Sequence, residues 1–162
     1  MIPAVFLFIL GVIAFSEACH HFKDIERHRP INHGYALAFR LAIGFVMFAV
    51  LSVTHWLLAE DYRFLLLAPM GWAWWTAVFR FTLNNLREKD WRYVSPSNWY
   101  DWQWLNASFS GALRPSRNNV VHFSQLSNWP AYRKLSNRAG LYAYVFEALV
   151  FSASIAAYFL LA

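Results

Sequence analysis

Four apolar stretches, each about as long as a membrane-spanning helix, constrain the fold of this chain more than any other feature. A helix needs ~20 apolar residues to cross the ~30 Å hydrocarbon core of a bilayer. Of the 162 residues, 59% are hydrophobic and 14% are charged, and a soluble domain this short could not bury that much apolar surface. The sequence therefore predicts an all-α integral membrane protein. The four predicted transmembrane spans are residues 2–19, 35–58, 64–83 and 140–162.

The first span has a second interpretation, which is a cleaved signal peptide. It lacks the positively charged n-region of such a peptide, and Ser-Glu-Ala-Cys at residues 16–19 is a poor match to a cleavage site. A retained helix is therefore favoured. The helical pattern continues through His20–Arg29 and should end before Pro30, because proline cannot continue a helix interior.

Lysine and arginine are concentrated in two of the three connections between the spans. The first connection holds three basic residues and the connection 84–139 holds eight, whereas the short connection 59–63 holds only Arg63. Cytoplasmic loops carry an excess of lysine and arginine. Both basic connections are therefore predicted to be cytoplasmic, with both termini outside (N-out, C-out). Spans two and three should form an antiparallel hairpin, since so few residues join them.

The cytoplasmic connection, residues 84–139, is too rich in aromatic residues to be a flexible linker. A helix is expected to begin at Ser97, with apolar residues at helical spacing. These residues are Trp102, Leu105, Phe109 and Leu113. An amphipathic, Trp-rich helix beside membrane spans is typical of a helix that lies in the headgroup plane. Pro130 is suited to open a further short helix that runs toward Arg138.

Potential metal ligands follow one another at helical spacing where the first span meets the cytoplasm. They are Glu17, His20, His21, Asp24 and His28. These positions share one helix face, and Glu-x-x-His is the pattern from which di-iron carboxylate bundles are built. Only one such motif is present, which leaves a mononuclear site for one divalent metal ion, with His33 and His122 as possible further ligands. The alternative is a polar, solvated helix end.

Each predicted span carries one charged residue toward its cytoplasmic side. These residues are Glu17, Arg40, Arg80 and Glu147. An unpaired charge within a bilayer costs ~2.5–3.5 kcal/mol even on the lenient insertion scale, so partners are expected. Arg40 and Arg80 lie close enough to a helix end to reach the surface. Glu147 lies deeper, so it either pairs with Arg40 or Arg80 or has a functional role.

A basic and aromatic cluster follows the third span. It consists of Arg87, Lys89, Trp91, Arg92 and Tyr93. Arginine and lysine beside tryptophan and tyrosine at a membrane surface suit anionic lipid headgroups. The same composition is also typical of an ordinary cytoplasmic anchor belt.

The net charge of +5 would also suit a nucleic-acid partner. Membrane topology already accounts for the basic residues, so no nucleic-acid partner is predicted. Cys19 is the only cysteine, which excludes an internal disulfide.

Two sequence blocks resemble small membrane proteins found in bacterial and phage genomes. They are Phe-Ser-Glu-Ala-Cys-His-His-Phe-Lys-Asp at residues 15–24 and Asn-Asn-Leu-Arg-Glu-Lys-Asp-Trp-Arg-Tyr at residues 84–93. This resemblance does not imply any particular activity. It implies a bacterial or phage origin and therefore a bacterial inner membrane.

Three classes of function follow from these features. The favoured one is an accessory or assembly subunit of a membrane complex, which binds lipids and other transmembrane subunits. The second is a metal-dependent membrane enzyme that acts on a lipid or another hydrophobic substrate. The third, a small channel or transporter, needs a continuous polar path, and the outer halves of the spans offer little beyond Thr54, His55 and Thr76. Fold alone decides among none of them.

Overall fold

Most of the described part of the chain is helical. The computed structural model describes residues 2–27, 33–59, 62–94, 104–105 and 130–161. No strand occurs in these ranges, which confirms the predicted all-α class. The chain divides into two compact units, one formed by Met1–Leu83 with Glu147–Ala162 and the other by Asn84–Phe146.

The first helix, α1, comprises Ile2–Glu26. Pro3 lies in its first turn, where a missing N–H is no loss, and an unbroken apolar run follows. The helix continues past Cys19, as predicted. It closes with a turn in which the N–H of Arg27 donates to the carbonyl oxygen of Lys23. The polar extension is therefore helical as far as Glu26.

Two further helices, α2 (His33–Ala59) and α3 (Leu67–Leu86), follow in the chain. A 3-10 helix, Tyr62–Leu66, leads directly into α3. Pro69 explains the change of winding, because it has no N–H to donate to residue 65 and its ring crowds that carbonyl. The preceding turn adopts the tighter 3-10 geometry instead, so the span predicted from residue 64 begins as a 3-10 helix.

The end of α3 is closed by a Schellman motif. The N–H of Lys89 donates to the carbonyl of Asn84 at 2.9 Å, and the N–H of Glu88 donates to that of Asn85 at 3.1 Å. Glu88 has a φ of 54°, the left-handed conformation that glycine usually supplies in this motif. The cap turns the chain out of α3 and into the segment 87–94.

The last described helix, α4, comprises Pro130–Leu160 and is 31 residues long. Pro130 occupies its first position, as the sequence predicted. The sequence also indicated a separate short helix before a span that begins at residue 140, and this separation is wrong. Gly140 lies inside one continuous helix, where it makes room for a neighbouring backbone instead of ending the element.

The first unit has a hydrophobic core built from α1, α3 and α4. Its buried members are Phe6, Leu10, Leu67, Met70 and Tyr158. The described side chains of α2 that pack against this core, Met47 and Leu51 among them, are only partly buried. Most other described apolar side chains of α2 are exposed.

Helices α1 and α3 approach closely at Gly71. A Cβ atom added there would lie 2.7 Å from Cζ of Phe6 and 2.8 Å from Cδ1 of Leu10. One turn further along α3, Nε1 of Trp74 donates a hydrogen bond of 2.8 Å to the carbonyl oxygen of Leu7. Small residues permit such close helix packing inside membranes, and the indole hydrogen bond fixes the register of the two helices.

The second unit has its own small core. Its buried members are Tyr93, Val94, Leu105 and Ala139, with Trp104 packed against them. Trp104 and Leu105 are helical, and they fall within the helix predicted to begin at Ser97. The rest of that predicted helix lies outside the described residues.

Two described helical segments, Pro3–Glu26 and Ser136–Leu160, are long and apolar enough to cross a membrane. A shorter apolar segment, Ala38–Thr54, lies within α2. Helix α3 carries Arg80 and two asparagines, which lower its mean hydropathy. Length and composition thus support two of the four predicted spans, and the other two stay predictions.

Candidate functional site

Arg80 of α3 and Glu147 of α4 form a buried, bidentate ion pair. Nη1 of Arg80 donates to Oε2 of Glu147 at 3.1 Å, and Nη2 donates to Oε1 at 3.0 Å. The side chains are 6% and 2% exposed. Of the partners that the sequence allowed for Glu147, the structure shows Arg80. Arg80 does not reach the surface because the carboxylate of Glu147 meets it inside the first unit.

A second ion pair joins α2 to α1. Nε of Arg40 donates a hydrogen bond of 2.6 Å to Oε1 of Glu17. Glu17 is buried and Arg40 is half-buried. The pair uses one carboxylate oxygen only, since Oε2 of Glu17 is buried and has no hydrogen-bond partner in the described part of the chain.

An imidazole and an aromatic ring also belong to this group of contacts. Nε2 of His21 lies 3.7 Å from Oε1 of Glu17, and the His21 ring packs edge-on against Phe79 with centroids 5.4 Å apart. Cζ of Arg40 lies 4.6 Å from the centroid of the same Phe79 ring, a cation–π contact. These residues from α1, α2 and α3, namely Glu17, His21, Arg40 and Phe79, are called the Glu17 cluster below.

The predicted metal ligands fall into two separate pairs on α1. Glu17 and His21 face the interior, whereas Nε2 of His20 lies 3.6 Å from Oδ2 of Asp24 and the His20 side chain is 75% exposed. Among the described residues, no three His, Cys, Asp or Glu side chains lie close enough together to hold a metal ion. His28, His122 and the side chain of His33 lie outside the described residues. The metal site stays a prediction without structural support.

The segment that follows α3 is organised by two polar side chains. Nδ2 of Asn84 donates to the carbonyl oxygens of Trp91 at 3.1 Å and Tyr93 at 2.6 Å. The carboxylate of Asp90 accepts from the backbone N–H and from the guanidinium of Arg92, each at 2.9 Å. A short acidic side chain that bonds the backbone two residues on is a common turn-forming device.

Three side chains of α4 hold this segment in place. Oγ of Ser136 accepts from the N–H of Val94 and donates to its carbonyl, both at 3.0 Å. Nδ2 of Asn137 donates to Asp90 at 3.1 Å, and the hydroxyl of Tyr144 donates to the carbonyl of Trp91 at 3.1 Å. These three residues were not among the predicted site residues, and their only signal in the sequence is the polar pair Ser136-Asn137 near an apolar run.

The predicted lipid-headgroup residues have unequal access to a ligand. Tyr93 is buried beneath the guanidinium of Arg87, and Arg92 is engaged by Asp90, whose hydrogen bonds and negative charge raise the pKa of the Arg92 guanidinium. Lys89 and Trp91 are exposed. Anionic lipid binding here stays a prediction, and it depends most on Lys89 and Arg87.

One exposed face of α4 was not among the predicted features. It presents Ala148, Ser152 and Ala156 at intervals of four residues. Leu149 and Phe159, which are also exposed, flank these small side chains. The spacing is visible in the sequence, but sequence alone does not show which face of the helix remains uncovered.

The chain was compared with protein-family models, curated proteins and solved structures, and none of them matched.

Proposed function

We propose that this chain is an accessory or assembly subunit of a bacterial or phage-encoded membrane complex. In this proposal four spans cross a bacterial inner membrane, both termini lie outside, and the connection 84–139 lies in the cytoplasm. The subunit binds membrane lipids and other transmembrane subunits.

Exposed apolar surface supports the membrane location. Phe45 and Leu57 of α2 are 73% and 74% exposed. In the most apolar windows of α1 and α4, only 33% and 22% of the residues are buried, whereas the core helix of a soluble protein is mostly buried. Contiguous apolar surface of this kind marks contact with a membrane or with another protein.

The main observation in support of the subunit role is the exposed face of small residues on α4. Inside a bilayer the hydrophobic effect does not drive helices together, so association depends on close van der Waals packing. Small side chains at intervals of four residues let a second backbone approach, and Ala148, Ser152 and Ala156 provide that spacing. Contact with lipid alone does not require it.

The charged residues are consistent with the same role. Arg80 and Glu147 bind each other through two parallel hydrogen bonds, which suits a fixed link between two helices. No described donor set assembles a metal centre, so no specific observation favours the enzymatic alternative.

Replacing Ser152 by leucine is expected to remove the partner subunit and to leave the fold intact, because the larger side chain would fill the approach surface without touching the core. The protein should be purified in mild detergent from membranes of its natural host, and the mass of the intact complex should then be measured by native mass spectrometry. The unmodified chain should carry a partner at fixed stoichiometry, and the S152L variant should lose at least about nine-tenths of it, which corresponds to ~1.4 kcal/mol or more.

Ala42→Leu is the matched control, because Ala42 is an exposed small residue of α2. This variant should keep the partner. The proposal fails if the unmodified chain comes from native membranes without any transmembrane partner, or if the S152L and A42L variants retain it equally.

A further inference from the structure

The Glu17 cluster has hydrogen-bonding capacity that the described part of the chain does not use. Oε1 of Glu17 accepts from Nε of Arg40, whereas Oε2 is buried and has no partner in the described part of the chain. Across the same described ranges, Nε is also the only nitrogen of Arg40 that donates a hydrogen bond. One ion pair thus has one unused acceptor atom and two terminal nitrogens available as donors.

This arrangement has an energetic consequence. A buried carboxylate oxygen without a hydrogen bond is energetically costly, since its hydration has been lost without replacement. A ligand that donates to this oxygen removes that cost. The unused atom therefore favours binding of a suitable donor over an empty site.

The unused groups define the chemistry of the ligand. The terminal nitrogens of Arg40 suit a phosphate, which arginine binds through two parallel hydrogen bonds. Oε2 of Glu17 requires an N–H or O–H donor. The ion pair has no net charge, so a ligand with both a negative and a positive group is matched to it, whereas a net anion would leave a charge unbalanced at low dielectric.

The position of the cluster suits a ligand that comes from the membrane. The side chain of Arg40 is 31% exposed while that of Glu17 is 7% exposed, so a headgroup can reach the guanidinium first. Leu41, the next residue in α2, is 65% exposed and offers apolar surface to acyl chains. Long basic side chains near helix ends commonly extend toward the headgroup level.

We infer that the Glu17 cluster binds the phosphoethanolamine headgroup of a membrane lipid, with the phosphate on Arg40 and the primary ammonium on Oε2 of Glu17. Phosphocholine has the same phosphate, but its quaternary ammonium has no N–H to donate. The preference for ethanolamine over choline is therefore the signature of the site. It is independent of any partner on α4, so the S152L experiment can fail without affecting it.

Native mass spectrometry with matched palmitoyl-oleoyl lipids tests the inference on the full chain in detergent. Phosphatidylethanolamine should bind at least about tenfold more tightly than phosphatidylcholine, since only the ethanolamine group can donate a hydrogen bond to the charged carboxylate. Phosphatidylglycerol should bind more weakly than phosphatidylethanolamine. Binding of soluble O-phosphoethanolamine, which has the same headgroup but no acyl chains, is measured for comparison.

Two variants assign the contacts. Glu17→Gln should bring the ethanolamine-to-choline ratio close to one, because the charge-assisted hydrogen bond that only the primary ammonium can donate becomes a weaker bond to a neutral amide. Arg40→Lys should weaken both lipids and retain their ratio, since both share the phosphate. Glu26→Gln is the control: Glu26 is an exposed carboxylate on the same helix, and its loss should leave the ratio unchanged.

Equal binding of the two lipids to the unmodified protein would overturn the inference, and this result requires no variant to fold. An E17Q variant that keeps the ethanolamine preference would also overturn it. Displacement of the bound lipid by an equal concentration of soluble O-phosphoethanolamine would contradict the assignment to a lipid.

Discussion

Replacing Glu147 by leucine is expected to lower the free energy of unfolding by about 3–5 kcal/mol. The substitution removes the carboxylate that accepts two hydrogen bonds from Arg80, and the guanidinium, which is 6% exposed, loses this countercharge. Arg80→Met should cost a similar amount, because it leaves the Glu147 carboxylate in the same position. Unfolding titrations in mixed detergent micelles, followed by far-UV circular dichroism, measure both effects.

The double variant R80M/E147L tests whether the ion pair serves only to link the two helices or also has a functional role. Replacing both members of a buried pair with apolar residues of similar volume is often neutral or stabilising, so the double variant should regain most of the loss. It should also keep the partner subunit. Single variants that each cost less than about 1 kcal/mol, or a double variant that loses the sum of both, would contradict the assignment of this pair as a link between α3 and α4.

Gly140→Ala is expected to lower the stability of the second unit by about 3 kcal/mol, near the upper end of overpacking costs. A Cβ atom at this position would overlap the carbonyl oxygen and carbon of Arg92. These are backbone atoms of a segment that Ser136 and Asn137 already hold. The segment would have to move away from α4, with loss of those hydrogen bonds. Hydrogen exchange of the Val94 amide reports the loss directly.

Gly44→Ala is the matched control for this effect. Gly44 lies in the interior of α2, and a Cβ atom there would meet nothing within 4 Å. Alanine has a higher helix propensity than glycine by about 1 kcal/mol, so this variant should be unchanged or slightly more stable. Equal stability of the G140A and G44A variants would contradict the close contact between α4 and the Arg92 backbone.

The helices could be predicted from the sequence because their signals are local. A long apolar run with no proline after the first turn fixes α1, and its polar extension follows the same helical pattern as far as Glu26. The division of α4 was predicted wrongly because the apolar stretch begins at residue 140, after a polar stretch that ends at Arg138, whereas the helix runs through both. Only the fold reveals that a carbonyl group of a distant segment occupies the space of the missing side chain of Gly140.

The candidate site was predictable in composition but not in arrangement. The sequence identified Glu17, Arg40, Arg80 and Glu147, since charges within apolar spans are rare. Which arginine meets which glutamate depends on how the helices rotate about their axes. The same is true of the predicted metal ligands: one helix face includes both His20 and His21, but packing buries His21 and leaves His20 in solvent.

Cysteine accessibility tests the central claim, a membrane-embedded chain with its basic connections in the cytoplasm, most directly. In a Cys19→Ala background, Lys23→Cys and Tyr62→Cys place single thiols at exposed positions near opposite ends of the predicted spans. A membrane-impermeant maleimide added to spheroplasts should label the thiol at position 62 and should reach position 23 only after the membrane is permeabilised. Labelling of position 23 in intact spheroplasts, or recovery of the chain in the soluble fraction, would contradict the account.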